Sequence, residues 1–154
     1  MSELLTPDAL LEHWEGHRRL TLRVLEAFPE EELFGYSPAA PMRPFGGMVA
    51  EIINVEKVLV NALLTGEWRF ENAQEFTSKG DLLEACAQVR GETRARWPEL
   101  KPARLLEIGP VPLPKPLSPL EDFLYMIDNE IHHRAQGYVY LRLLGIEPPA
   151  FFER

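Results

Sequence analysis

The chain has a single cysteine among its 154 residues, Cys86, so no internal disulfide can form and a reducing compartment is expected. It has no uninterrupted apolar run long enough to span a bilayer, so a soluble protein without a membrane partner is expected. Basic residues are outnumbered: 16 Lys and Arg against 24 Asp and Glu leave a net charge of −8. That balance argues against nucleic-acid backbone as a partner and against an anionic membrane surface. Met1-Ser2-Glu3 lacks the basic flank of a signal peptide, and Asp8 and Glu12 follow early, so a cytoplasmic location is expected. Neither a glycine-rich nucleotide fingerprint after a strand nor an internal repeat nor a low-complexity tract occurs.

What is present is ordinary globular material. Apolar residues make up 45% and charged residues 26%, and the length suits one domain over residues 1–154. Four helical segments follow from caps and periodicity. The first opens at Thr6-Pro7, carries Leu10, Trp14, His17, Thr21, Val24 and Phe28 at helical spacing, and stops at Pro29. The second follows Pro44 and runs to Gly66, with Met48, Ile52, Val55, Val58, Leu59 and Ala62 on one face. The third opens near Ser78 and ends at Trp97-Pro98; the fourth opens on the capping box Ser118-Pro119-Leu120-Glu121 and ends at Gly145. Between the last two lies a long proline-rich connection, Pro98 to Leu117, in which residues 104–108 are expected to be extended. Four amphipathic helices with one long crossover before the last predict an all-α four-helix bundle.

The last helix is apolar on two sides. Ile127, Ile131, Tyr138 and Leu141 fall on one stripe, and Met126, Tyr140 and Leu144 on nearly the opposite one. Such a helix either sits at the centre of the bundle or presents a subunit interface, and a homodimer is the expectation.

The candidate chemistry lies in a few polar residues set among apolar ones. Asn129 and His133 stack one turn apart, with Gln136 and Tyr140 continuing the column, as a buried hydrogen-bond network or part of a site. Glu51 stands in the middle of the apolar face of the second helix. An unpaired carboxylate there is costly, so it calls for a cation, a proton or a donor, with His133 or a bound metal as partner. The other reading leaves it tolerated by the helix dipole near the open bundle end. His13 and His17 also stand one turn apart, a spacing compatible with metal ligation, but core or surface roles fit them better. Cys86 has no basic neighbour in sequence and reads as core filler.

The run Asn129-Glu130-Ile131-His132-His133-Arg134-Ala135-Gln136, followed by Leu144-Gly145-Ile146-Glu147-Pro148, resembles the end of DinB/YfiT-like proteins, where H-x-x-x-H-R-G-Q precedes a Leu-Gly-x-x-Pro exit. Phe45-Gly46-Gly47-Met48-Val49-Ala50-Glu51-Ile52, with Glu56 beyond, is similar to that family's metal-ligand segment. The resemblance implies a bundle in which three histidines hold a divalent ion such as nickel or zinc. It places those ligands at Glu51, Asn129 and His133, so two of the three histidines are replaced. An amide is a weak neutral donor, which lowers transition-metal affinity; the set either holds an ion with waters or forms a Glu51–His133 pair bridged by Asn129. Two functions follow from the resemblance. One is a metal-dependent transferase acting on a small-molecule thiol, of the bacillithiol type, with Arg134 or Gln136 orienting substrate. The other is a non-catalytic stress-response dimer, a binding or scaffold protein whose old ligand site has become structural.

Overall fold

The structure is a computed structural model in which residues 5–107 and 118–154 are described. Helix α1 spans Pro7–Ala27, a single short turn α2 spans Glu30–Leu33, and the remaining long helices are α3 (Phe45–Thr65), α4 (Lys79–Arg96) and α5 (Pro119–Leu143). No strand occurs among the described residues.

Three of the four long helices begin on a side-chain cap, and α3 and α5 end on a left-handed glycine, as their sequences provide. Thr6 Oγ1 accepts from the Ala9 N–H at 3.1 Å, with Pro7 in the first turn. Ser78 caps α4 in the same way, and at α5 the Ser118 and Glu121 side chains cap each other's backbone reciprocally. Gly66 closes α3 at φ 79°. Gly145, at φ 76°, closes α5: its N–H donates to Arg142 O and the Ile146 N–H donates to Leu141 O, the paired bonds of a Schellman motif.

After a first 3₁₀ turn, Trp97–Glu99, residues 104–106 of the stretch expected to be extended belong instead to a second, Pro102–Leu106, with Ile108 outside the described residues. The reason lies in Arg104. Its guanidinium donates to the carbonyls of Leu63 (3.2 Å) and Ala62 (3.3 Å) at the open end of α3, and Leu105 is buried beside it. A lone strand there would have left its own backbone groups unpaired.

Two apolar cores fill the bundle. Near one end Val24, Phe28, Phe45, Met48, Leu82, Cys86, Tyr140 and Leu141 pack together. Near the other, Leu10, Trp14, Leu59, Leu63, Trp97, Phe123 and Ile127 do so. Membership runs in opposite order along α1 and α5 compared with α3 and α4, so the first pair is antiparallel to the second. Helices α3 and α4 are therefore parallel, and residues 66–78 travel back along the bundle. Asn61 Nδ2 donates to Glu67 O and Asn54 Nδ2 to Glu71 O, tying that segment to α3 as it goes. Sequence reading does not anticipate this second long connection.

Helix α5 is central: it packs on both α3 and α1. Met126, Ile127, Tyr140 and Leu141 are all buried within the single chain, while Leu124, Ile131 and Val139 face outward. The two-sided apolar character of this helix is thus largely spent inside the bundle.

Candidate functional site

Between the two apolar cores, every long helix contributes charge. Arg18 comes from α1, Glu56 from α3, Arg90 from α4 and Glu130 from α5, each 3% exposed or less. Glu130 accepts from Trp14 Nε1 (3.0 Å), Arg18 Nε (3.0 Å) and Arg18 Nη2 (3.2 Å). Glu56 accepts from Thr93 Oγ1 (2.7 Å) and Arg90 Nη2 (3.1 Å). Arg18 Nη1 lies 2.8 Å from Glu56 Oε2 but is too bent for a hydrogen bond, so that contact is ionic. The Arg90 guanidinium also covers the Trp14 ring, 3.8 Å from its centroid. Glu15, held by Arg94 at 2.7 and 2.8 Å, extends the cluster outward.

Burial alone would push the Glu130 carboxyl up, but the Arg18 charge and its hydrogen bonds outweigh it and hold the group at about 2. The same charge balance raises the Arg18 guanidinium against the opposing effect of burial. Each charge in this layer therefore depends on its partners being present.

A second strand of polar contacts runs from α5 to α1. Arg134 Nη1 donates to His17 O (3.0 Å) and Thr21 Oγ1 (3.2 Å), and Arg134 Nη2 lies 3.1 Å from His17 Nδ1. His17 Nε2 lies 3.3 Å from His13 Nε2 and 3.2 Å from Arg154 Nη1, so guanidinium groups stand against both ring nitrogens. Burial, then the charges of Arg134 and Arg154, lower the His17 imidazole to about 4, so it is neutral near pH 7. His13 and His17 contact each other, and the guanidinium groups of Arg134 and Arg154 stand against the His17 ring rather than a ligand set.

Glu130 and Arg134 fix the rotation of α5 against α1, and that rotation turns His133 toward α3. There His133 Nε2 meets Glu51 Oε1 at 2.9 Å. An ionised carboxylate only accepts, so Nε2–H is the donor. The second Glu51 oxygen lies 2.6 Å from Arg43 Nη1. Arg43 is placed in turn by Tyr140, whose hydroxyl donates to the Arg43 carbonyl at 3.0 Å. Burial would raise the Glu51 carboxyl, but the hydrogen bonds from His133 and Arg43 overcome it and leave it lowered.

Of the polar column on α5, then, two members make contacts toward the start of α3: His133 to Glu51 and Tyr140 to Arg43. Gln136 turns aside to His132 at 3.0 Å on the exposed surface. Asn129 does not bridge Glu51 and His133; the pair is direct, and the Asn129 Nδ2 group is buried without a hydrogen-bond partner among the described residues. His133 Nδ1 is likewise buried and unpartnered.

A resident transition ion does not suit this arrangement. The one imidazole has its Nε2 turned onto Glu51, both Glu51 oxygens already accept from cationic or N–H donors, and the third position offers only an amide. The Arg43 guanidinium brings positive charge to the place a metal would occupy. No three His, Cys, Asp or Glu side chains converge elsewhere among the described residues.

The ionic layer is what sequence reading missed. Its signal was partial: Glu56 sits three or four residues from buried apolar neighbours on both sides, whereas Arg18 (after Trp14) and Glu130 (after Met126 and Ile127) have them on the N-terminal side only. Cys86 is buried beside this layer, and burial raises its thiol to about 11, so it is inert filler as read.

Two solved structures share the fold. A DinB-like protein from Bacillus cereus ATCC 10987 matches with a TM-score of 0.78 at 20% identity, over 94% of this chain and 97% of that one. A DinB-like protein from Bacillus subtilis matches with a TM-score of 0.78 at 23% identity, over 94% and 99%. No curated protein matches. No described helix is long and apolar enough to cross a membrane. The DinB family model matches residues 1–154, the segments of α3 and α5 that carry Glu51 and His133 included, and the chain belongs to the DinB family.

Proposed function

We propose that this chain is a non-catalytic, cytoplasmic DinB-family protein, one domain over residues 1–154, acting as a binding or scaffold protein in a stress response. In it the position of the family's metal site holds a structural ion pair. The observation that carries this reading is the state of Glu51, whose two oxygens are taken by His133 Nε2 at 2.9 Å and Arg43 Nη1 at 2.6 Å. A ligand carboxylate turns its charge on the ion, and here that charge is already met by the Arg43 guanidinium and the His133 N–H, one on each oxygen. The partner in this reading is a second copy, docked on the outward stripe of α5 around Leu124 and Tyr125. Light scattering at micromolar concentration then gives twice the chain mass; a monomeric mass removes the dimer from the reading.

The competing reading is a metal-dependent transferase acting on a small-molecule thiol of the bacillithiol type, with nickel or zinc on Glu51, Asn129 and His133. The observation in its favour is the unspent hydrogen-bonding capacity of Asn129 Nδ2 and His133 Nδ1, one turn apart on α5. Thermal melts with and without added nickel or zinc separate the two. The structural pair predicts unchanged melting in the wild type. A bound ion raises the melting temperature in proportion to its occupancy, and Glu51→Gln removes the rise.

A further inference from the structure

The C-terminal half of α5 and the segment that follows it enclose a groove of about 840 Å³, within the roughly 300–1,000 Å³ typical of small-molecule sites. Ile131, Ala135 and Val139 form its floor, and Pro149, Phe151 and Phe152 its far wall. Both phenylalanines are largely exposed, at 67% and 72%, and stack edge to face on each other. The far wall is anchored to α1, because Arg23 Nη1 donates to Glu153 O at 2.7 Å and Arg154 packs over Gly16. Gly16 makes this seat possible: a Cβ there would stand 3.3 Å from that of Arg154.

One side of the groove is polar in a specific way. The Tyr138 hydroxyl is buried and has no hydrogen-bond partner among the described residues, a state that costs free energy until an acceptor arrives. Arg142 lies over the Tyr138 ring, 6.0 Å from its centroid, and its acidic contact is Glu147 at 3.7 Å. Both members of that pair are more than half exposed, so it is weak and readily exchanged for another carboxylate. Arg23 and Arg134 add two more guanidinium charges around Tyr138. In a chain of net charge −8 this is a local concentration of positive charge beside an apolar trough.

We propose that this groove binds a small-molecule carboxylate with an apolar alkyl or aryl body, its carboxylate accepting from Tyr138 and Arg142 and its body lying along Ile131, Ala135 and Val139. A neutral apolar ligand leaves the Tyr138 hydroxyl unanswered, and an amine meets charge of its own sign. A second copy of the chain fits this concave, walled trough poorly, because protein interfaces spread over broader complementary patches. The site lies on the face of α5 away from Glu51 and does not rest on the ion-pair reading.

Isothermal calorimetry of the whole chain with octanoate, and with octanol as its neutral counterpart, tests this, with light scattering recorded alongside. Octanoate is expected to bind saturably and about tenfold or more tightly than octanol, as a charge-assisted hydrogen bond requires. Arg142→Gln should erase that preference, and Ala135→Trp should fill the trough and remove both affinities. Both positions are exposed, so neither variant threatens the fold. The proposal is overturned by an absence of saturable octanoate binding at millimolar concentration, by equal affinity for the two probes, or by binding that survives Ala135→Trp. It is also overturned if octanoate fails to bind and Ala135→Trp instead splits a dimer, which assigns the trough to a second copy.

Discussion

Glu130 and Glu51 are both carboxylates on the inner faces of helices, yet they stand in different physical situations. Glu130 is 1% exposed and is held ionised at about 2 by Arg18, despite the burial that opposes it. Its folded value is depressed, so its contribution to stability is complete above the ordinary carboxylate range and is lost as pH falls through about 2. That contribution is on the order of 3 kcal/mol. Glu130→Gln should therefore lower the unfolding free energy by about 3 kcal/mol near pH 7, read from urea denaturation, and the deficit should shrink as the pH approaches 2. Glu51 is one-third exposed at its side chain and touches a half-exposed Arg43. Glu51→Gln should cost only about 1 kcal/mol or less in the same assay. The Glu51 contact was legible in the sequence because a carboxylate in the middle of an apolar face demands a partner, and a histidine was available on the last helix. The partnership of Arg18, Glu56, Arg90 and Glu130 was not legible, because helical spacing places each residue on a face without saying which faces meet.

At the scale of elements, the helices were readable nearly to the residue. Thr6, Ser78, Ser118, Gly66 and Gly145 announce ends through local backbone chemistry, and local chemistry survives folding. The parallel course of α3 and α4 was hidden, because it depends on where residues 66–78 go, and that is set by contacts such as Asn54 to Glu71 O. The closeness of α3 and α5 has a specific cause in Gly137. A Cβ there would fall 2.5 Å from Phe45 Cε2, and Phe45 is fully buried and stacked on Phe28 with ring centroids 4.7 Å apart. The ring cannot yield without disturbing the core, so Gly137→Ala should destabilise by about 1–3 kcal/mol and lower the melting temperature by calorimetry. Gly91, on the exposed face of α4, meets nothing within 4 Å. Gly91→Ala should stabilise by about 0.5–1 kcal/mol in the same measurement. If both variants melt alike, the close approach of α3 and α5 is not what constrains position 137.

Across the whole molecule, the DinB bundle is present, and in the proposed reading the positions where the family resemblance puts metal ligands hold donors that pair with one another. The contacts are consistent with that reading: His133 donates to Glu51, an arginine neutralises that carboxylate, and a tyrosine on α5 positions the arginine. The charged layer next to it supplies the rotational registration of α5 that brings His133 and Glu51 together. The central claim is that this position holds an ion pair and not an ion. Its most direct test is elemental analysis of protein produced without a nickel-affinity tag, incubated with nickel or zinc and then desalted. The account expects no retained metal, and identical results for the wild type and Glu51→Gln. A stoichiometric ion kept by the wild type and lost from Glu51→Gln would contradict it.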